Sequence, residues 1–383
     1  MKIGFLLDDH MHRPGGVQEY VRGMYRYLLR NGHEAVVFSG GTQFNTPLPE
    51  RVIQLGISIP AKGSGSTTSL PVVLKSAAAL RRLLREEACD VLHVQTPFSP
   101  TLSGRLLAVS EAAHVCSFHI RIDDPIRLRL LSWAARLQRP SFRHIHKRMA
   151  ISQAAEETAQ VLFPGRYERV GVGVHISRYA AAAQLPRLAE YNDDRVTIMT
   201  VGRLEERKGV AHLLRAYASL ERAYGDAIRL VIAGDGPQRE QLQALAAQLG
   251  LRSVQWLGFV ENAALPQVMA SADIFCAPAT GQESFGYVLV EAMAAGLPIV
   301  GFANAGYAEV LAQHPGNFAV PVRDERALAG ALSTFIASQP LRRAVSSRNR
   351  VGAERHSWTR VGAQVMQVYA EALEIRGSLA ARR

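Results

Sequence analysis

Short apolar runs alternate along the chain with longer stretches whose apolar residues recur every three to four positions. The first pattern predicts buried strands and the second predicts amphipathic helices. In the first half, strands are predicted at 2–7, 35–39, 91–94 and 115–119, and helices at 16–30, 69–85 and 153–162. The segment His144–Ala150 leads into Ile151 and Ser152 ahead of the last of these helices. The glycine- and serine-rich Ala61–Ser69 reads as a flexible loop. The polar stretch Glu190–Arg195 then marks a boundary. Beyond it the rhythm repeats, with strands at 196–201, 228–233, 254–257, 274–277 and 298–301 and helices at 209–224, 237–249, 265–271, 286–295, 325–336 and 340–352. A last helix, Thr359–Leu373, carries Val361, Val365, Val368 and Leu373, and the basic Arg376–Arg383 reads as a frayed tail. Strand–helix alternation repeated twice predicts an α/β protein of two Rossmann-like, doubly wound parallel-sheet domains, with a cleft between them at the carboxyl ends of the strands. A two-domain binding protein would share this rhythm, so it does not by itself give chemistry.

Composition changes this picture little. A chain of 383 residues that is 48% hydrophobic supports two domains of roughly 190 residues each. No run approaches the roughly 18 apolar residues of a membrane span. The start, Met1–Asp8, is too short for a signal sequence and reads as a first buried strand, which predicts a cytoplasmic location. Cys89, Cys116 and Cys276 lie far apart in apolar surroundings and read as reduced core residues.

Charge adds more. Residues 1–190 hold 24 Lys and Arg against 15 Asp and Glu, and the remainder holds 20 against 18, so most of the net +11 belongs to the first half. That bias predicts an anionic partner there: nucleic acid, an anionic membrane face or an acidic small substrate. A solvated basic surface accounts for it equally simply. Between Arg121 and Arg148 eight basic residues accompany only Asp123 and Asp124. Arg121, Arg127, Arg129, Arg136, Arg139 and Arg143 interleave there with Ile126, Leu128, Leu130, Leu131, Trp133 and Leu137. Apolar contact mixed with cationic reach suits an anionic membrane interface, although an ordinary amphipathic helix with a basic solvent side fits as well. No base-reading module is present, so no nucleic-acid partner is expected. Arg81, Arg82 and Arg85 form a second basic cluster.

Five segments carry candidate chemistry. Gly15 and Gly16 follow the first strand and open a helix, where backbone can approach a bound group closely. The spacing lacks the third glycine of the dinucleotide fingerprint, and a plain tight turn is the alternative. Gly202–Gly209 follows the first strand of the second half; Arg203 offers a fork of donors suited to phosphate oxygens. Lys208 sits at a helix start, where a cation is disfavoured unless an anion accompanies it. Ala233–Pro237 reads as a structural turn with Asp235 as helix cap. His119 ends a buried strand and lands at the cleft mouth, either to touch a sugar hydroxyl or to serve as a hydrogen-bonded structural imidazole. The richest segment is Glu283-Ser284-Phe285-Gly286, followed by a helix that contains Glu291. A helix opening at Gly286 can aim its backbone N–H groups at a phosphate. Glu283 stays on the loop, so one acid can hold a sugar and the other a ribose. The chain has no Asp-x-Asp element, and no metal or other cofactor is expected.

Taken together, these residues resemble the retaining GT-B glycosyltransferases of family 4, and among them the phosphatidylinositol mannosyltransferases. The likeness runs over essentially the whole chain. It rests on Pro14-Gly15-Gly16-Val17-Gln18, Phe118-His119, Gly202-Arg203 with Lys208-Gly209, Ser271–Pro278, and above all Glu283–Glu291 with Ala292–Gly296. The resemblance implies an acceptor- and membrane-facing domain at 1–190, a donor-binding domain at 191–355, and a terminal segment at 356–383 that crosses back to the first. It implies that Gly15 and Gly16 lie by the donor phosphates, that Arg203 and Lys208 clamp the diphosphate, and that Glu283, with Ser284, Phe285 and Gly286, holds the transferred sugar. Glu291 would bind the ribose, Val260 would lie by the base, and His119 would touch the sugar. The implied donor is GDP-mannose or a UDP-hexose. The implied acceptor is a lipid or polyol, reached at the inner face of a membrane. Several positions depart from the pattern: Ile120-Arg121 replaces Thr-Ser, Asn262 stands where the relatives carry an acid, and Tyr287 replaces an aliphatic residue. These departures keep a UDP-sugar donor, a soluble sugar acceptor, a nucleotide-sugar epimerase and a non-catalytic binder open.

Overall fold

A computed structural model describes residues 1–12, 15–40, 49–62, 67–73, 75–95 and 102–381. Arg13 and Pro14 fall outside these residues. The chain forms two compact units, Met1–Gly173 with Trp358–Arg383, and Val174–Ser357.

The first unit is built on seven strands: β1 Lys2–Leu7, β2 Glu34–Ser39, β3 Val52–Gln54, β6 Val91–Gln95, β7 Ala113–Phe118, β8 Lys147–Ala150 and β9 Glu168–Arg169. They lie in the order β3-β2-β1-β6-β7-β8-β9, and every pairing is parallel. Strands β1, β6 and β7 are buried almost end to end, as a sheet covered on both faces requires. The crossovers are α1 Gly16–Arg30, α2 Ala77–Glu87, α3 Ser103–Val109, α4 Pro125–Phe142 and α5 Gln153–Leu162. Strands β4 Gly56–Lys62 and β5 Thr67–Val73 form a separate antiparallel hairpin. Residues 69–73 of the helix expected over 69–85 are therefore strand, and helix begins only at Ala77, where Ser76 Oγ accepts the Ala79 N–H at 3.2 Å. The loop expected at 61–69 is the inner part of that hairpin, apart from residues 63–66, which lie outside the described set. Pro140 does not break α4: it sits near the end, where only one intrahelical donor is lost.

The terminal helix is longer than its apolar pattern suggests. It runs from Trp358 to Ala380, so most of the segment read as a frayed tail is helical. It packs on α1, β7 and β8 of the first unit. Trp358 enters between two glycines: a Cβ on Gly23 would lie 2.0 Å from its ring, and one on Gly173 2.3 Å. Tyr369 is fully buried, and Lys147 Nζ bonds to Glu371 and Glu168.

The second unit has six strands, β10 Val196–Val201, β11 Ile228–Ala233, β12 Val254–Gly258, β13 Ile274–Ala277, β14 Ile299–Phe302 and β15 Phe318–Val320. Their order is β12-β11-β10-β13-β14-β15, again all parallel. Helices α6 Ile176–Ala182, α7 Val210–Tyr224, α8 Arg239–Gln248, α9 Leu265–Ala270, α10 Tyr287–Ala295, α11 Ala305–Gln313, α12 Glu325–Ala337 and α13 Gln339–Ala353 complete it. Its core joins Leu213, Leu214 and Tyr217 of α7 to Leu230, Ile232 and Ile274 of the sheet and Leu332 and Phe335 of α12.

The division between the units falls at Gly173/Val174, ahead of the polar stretch expected to mark it. Arg187 explains why: its guanidinium donates to the Ser271 carbonyl and to Asp273 Oδ2, at 2.6 and 2.9 Å, which ties the connecting chain to the second unit. Tyr191, inside the polar stretch, is buried with the Arg229 guanidinium 5.4 Å from its ring centre. Among the described residues no helix is long and apolar enough to cross a membrane.

Candidate functional site

In each sheet the strand order reverses once, between β1 and β6 in the first unit and between β10 and β13 in the second. Ligands of doubly wound sheets bind outside the carboxyl ends of the strands at such a reversal. In the second unit that position is a recess lined by Thr200, Gly202, Leu204, Lys208, Pro278 and Tyr307.

The loops around it carry an alternating chain of charges. Arg203 Nε lies 2.9 Å from Glu205 Oε1, and Arg207 Nε lies 3.1 Å from Glu205 Oε2. Arg207 Nη1 and Lys208 Nζ then converge on Glu283 Oε1, at 2.8 and 2.7 Å. The structure thus brings Arg203, Lys208 and Glu283 into one network. Glu283 supplies the anion that Lys208 required. The buried ends are the carboxylates, whereas the Arg203 side chain is 57% exposed and free to turn toward a ligand. Glu205 and Arg207 were missed by the sequence reading, although the Glu-Glu-Arg-Lys run at 205–208 was visible. Backbone lacing holds the two loops together, since Thr280 N–H donates to the Arg207 carbonyl at 2.8 Å. Gly209 permits the approach: φ is +67°, and a Cβ there would lie 1.9 Å from the Pro278 carbonyl oxygen.

Helix starts divide into two kinds. Helices α2, α5, α11, α12 and α13 are capped by Ser76, Ser152, Asn304, Asp324 and Ser338 side chains. Helices α1, α3, α6, α7, α8, α9 and α10 have no capping side chain, and three of them, α1, α7 and α10, begin at glycines, Gly15, Gly209 and Gly286. Those three starts leave backbone donors for something other than a side chain. At Gly286 φ is +98°, and a Cβ would press to 2.6 Å from the buried Tyr307 ring. Gln282, just before Glu283, is a non-glycine residue at φ +57°, a strained setting of the kind found at ligand-holding loops.

Other site residues are placed as follows. Glu291 lies within α10 and Ser284 on the loop before it, both half-buried. Phe285 is buried against His356, with ring centres 5.5 Å apart, so it anchors the loop from beneath. Val260 follows β12, two strands from the reversal. Asp235 does not cap α8. Its carboxylate accepts the Gly236 N–H at 2.7 Å and the Arg239 guanidinium at 3.2 Å, while α8 starts after Gln238. Among the described residues no group of three or more His, Cys, Asp or Glu is placed to hold a metal ion.

In the first unit, Gly15 and Gly16 are exposed at the start of α1, just after β1. His119 follows β7 at the same edge of the sheet and is buried, its Nε2 2.7 Å from Gln95 Oε1. Burial pushes its pKa down to about 3, so the ring is neutral. The basic residues do not all gather at this edge. Arg81 and Arg85 line a recess with Arg376 beside Asp90 and Ala112, at the opposite, amino ends of β6 and β7. Arg82 pairs with Glu86 along α2 at 3.5 Å. Arg121 is committed to Asp123, at 2.7 Å, and to Glu157. Arg127 and Arg129 lie in the first turns of α4. That helix exposes Ile126, Leu130, Trp133 and Leu137, spaced as one helical stripe, with the Arg136 guanidinium 4.4 Å from the Trp133 ring centre. Cys116 and Cys276 are buried, Cys89 is half-buried, and all three are free thiols, as the sequence predicted.

Comparison with known proteins agrees with these features. Residues 14–178 match the family described as Glycosyltransferase Family 4, and residues 183–351 match Glycosyl transferases group 1. The chain is 32% identical over 373 residues to the phosphatidyl-myo-inositol mannosyltransferase of Mycobacterium leprae, covering 96% of each chain. It is also 32% identical to the enzyme of that name from Mycolicibacterium smegmatis, covering 96% of this chain and 93% of that one. Among solved structures, Anabaena HepE in complex with UDP superposes with a TM-score of 0.76 at 21% identity, over 97% of this chain and all of that one. With two Rossmann-like parallel sheets and sequence relatives spanning nearly its full length, the chain belongs to the GT-B glycosyltransferases of family 4.

Proposed function

We propose that this protein is a retaining glycosyltransferase that moves a hexose, mannose first, from a nucleotide-diphosphate sugar to a lipid-type or polyol acceptor at an anionic membrane surface. The observation that carries the reading is the Arg203–Glu205–Arg207–Glu283–Lys208 network at the β10/β13 reversal, beside the uncapped start of α10. A diphosphate leaving group gains charge as its bond to the sugar breaks, and preorganised cations and helix-end N–H groups stabilise that charge. Arg203 and Lys208 take this role. Both cations meet Glu283 at Oε1, and in this reading its other oxygen, Oε2, receives sugar hydroxyls. Glu291 holds the ribose and Val260 lies against the base. In the transfer step the bond from the anomeric carbon to the phosphate oxygen breaks and a bond to the acceptor oxygen forms on the same face. The acceptor proton passes to the departing phosphate. No carboxylate nucleophile of the kind used by retaining glycosidases is required.

Mannose and an inositol-type lipid are supported by the mycobacterial relatives' names, and a membrane surface by the exposed apolar stripe of α4 with its arginines. A second reading, a UDP-hexose donor with a soluble acceptor, is favoured by Asn262 and by Ile120-Arg121, where the sequence leaves the pattern of the inositol-lipid enzymes. A panel of GDP- and UDP-sugars crossed with lipid and soluble acceptors, read by product mass spectrometry and by the anomeric configuration of the product, decides between them. Isomerisation of a sugar nucleotide without acceptor would replace transfer by epimerisation. Binding without turnover on any pair would reject enzymatic function.

A further inference from the structure

We infer that Gln95 fixes His119 as the tautomer with hydrogen on Nε2, so that the bare Nδ1 accepts a hydrogen bond from a substrate hydroxyl. Gln95 is the last residue of β6, at the strand reversal of the first unit, and is almost wholly buried. Its amide has one favourable orientation. Nε2 lies 3.4 Å from the His93 carbonyl oxygen, and turning the amide over would set two acceptor oxygens against each other. Oε1 therefore faces the imidazole, 2.7 Å from His119 Nε2. An amide oxygen only accepts, so Nε2 must carry the hydrogen. A neutral imidazole has one N–H, which leaves Nδ1 as a lone pair.

That lone pair is buried and has no partner among the described residues. A desolvated acceptor without a donor is unfavourable, and the deficit is recovered when a donor arrives. The surroundings say which kind of donor. Tyr20 from α1 meets the ring edge-on, with centres 4.9 Å apart. His93 from β6 lies beyond it, held between Ser117 Oγ at 2.6 Å and the Tyr369 hydroxyl of the terminal helix at 2.7 Å. Burial pushes the pKa of His93, like that of His119, down to about 3. The groups facing His119 are thus Tyr20, His93 and Gln95, all neutral. A bare lone pair in a neutral setting rejects phosphate oxygens and takes an O–H, from the transferred sugar or from the acceptor. The identity of that hydroxyl rests on the transferase reading, whereas the tautomer does not.

The test is long-range 1H–15N correlation on the full chain labelled at histidine, with His119 assigned through its loss in His119→Asn. The expected spectrum has a protonated Nε2 and an unprotonated Nδ1, and the opposite tautomer overturns the inference. Gln95→Leu should release the tautomer preference. If that variant fails to fold, Gln95→Glu, nearly the same shape, decides. Its carboxylate raises the imidazole pKa toward neutrality, and the imidazolium turns Nδ1 into a donor. In Gln95→Glu, kcat/KM should then rise with pH through this new ionisation, a limb absent from the wild type. A profile unchanged from wild type overturns the positioning role. GDP-mannose, UDP-glucose and myo-inositol, added separately, should reveal the hydroxyl's source by shifting the Nδ1 resonance. No shift with any of the three overturns the acceptor role. The expected tautomer and shift in a protein that transfers no sugar would reject the transferase reading and leave this one standing.

Discussion

Replacing Lys208 by Met separates stability from catalysis in the charged network. The variant keeps much of the aliphatic stem and removes one of the two donors on Glu283 Oε1. Two unit charges about 4 Å apart attract by about 4 kcal/mol at an effective dielectric constant of about 20. The Lys208 side chain is 21% exposed, and Arg207 stays 2.8 Å from the same oxygen, so solvent and the second donor reduce the loss. The net cost to folding is about 1–2 kcal/mol. For a unit of this size the midpoint should drop by roughly 2–8 °C. The chemical step should suffer more, because removing one preorganised stabiliser of developing charge costs about 3–4 kcal/mol, or roughly 100–1,000-fold in turnover. Glu283→Gln should reverse the balance of effects on folding. It strands the Lys208 cation while Arg207 keeps Glu205, at a cost of about 3 kcal/mol, and combining it with Lys208→Met should recover part of the loss. Thermal melts and acceptor-dependent nucleotide release read the two quantities. A lowered melting temperature with turnover within about threefold of wild type, about 0.7 kcal/mol, would make Lys208 a structural cation and refute the reasoning.

Arg203→Ala removes an exposed guanidinium paired, among the described residues, with Glu205, so the melting temperature should hold while turnover falls at least tenfold; full activity in a donor assay would sink the diphosphate clamp. His93 and His119 titrate near 3 in the fold against about 6.5 in the unfolded chain, so the unfolded state binds protons that the native state refuses. Stability should therefore fall as pH drops below about 6.5, by up to about 1.4 kcal/mol per pH unit for each imidazole; a denaturation midpoint unchanged from pH 7 to 5 would contradict their burial as neutral rings. Changing Trp133 and Leu137 together to Ser, at positions 60% and 86% exposed, should leave the fold intact and abolish pelleting with anionic liposomes. Equal pelleting of wild type with neutral vesicles would remove the electrostatic part of the membrane reading.

Much of the architecture was legible because it is local. Strand β1 and helices α1 and α5 matched their apolar patterns to the residue, as did β10, β11 and β13. Period and glycine placement are properties of neighbouring residues, so Gly15, Gly209 and Gly286 announced their uncapped helix starts. The 69–85 segment misled because apolar Leu70–Leu74 is separated from the alanine-rich helix by only Lys75 and Ser76, and only pairing with 56–62 makes 69–73 a strand. Of the missed elements, β3, β9, β15, α3 and α6 are short, with too few positions to show a period, whereas α11 was missed despite its nine residues.

The sequence by itself determined the class, two parallel α/β units, and the candidate residue types for a phosphate site, because hydrophobic period and glycine chemistry are written in consecutive positions. Tertiary structure alone decided which charges meet. Lys208 and Glu283 are 75 residues apart, and Gln95 and His119 are 24 apart. Their contacts exist because strand order puts β10 beside β13 and β6 beside β7, a choice made by the whole sheet. The same packing sent Arg81 and Arg85 to the far edge from His119, and moved the unit boundary to Gly173 through the bonds of Arg187.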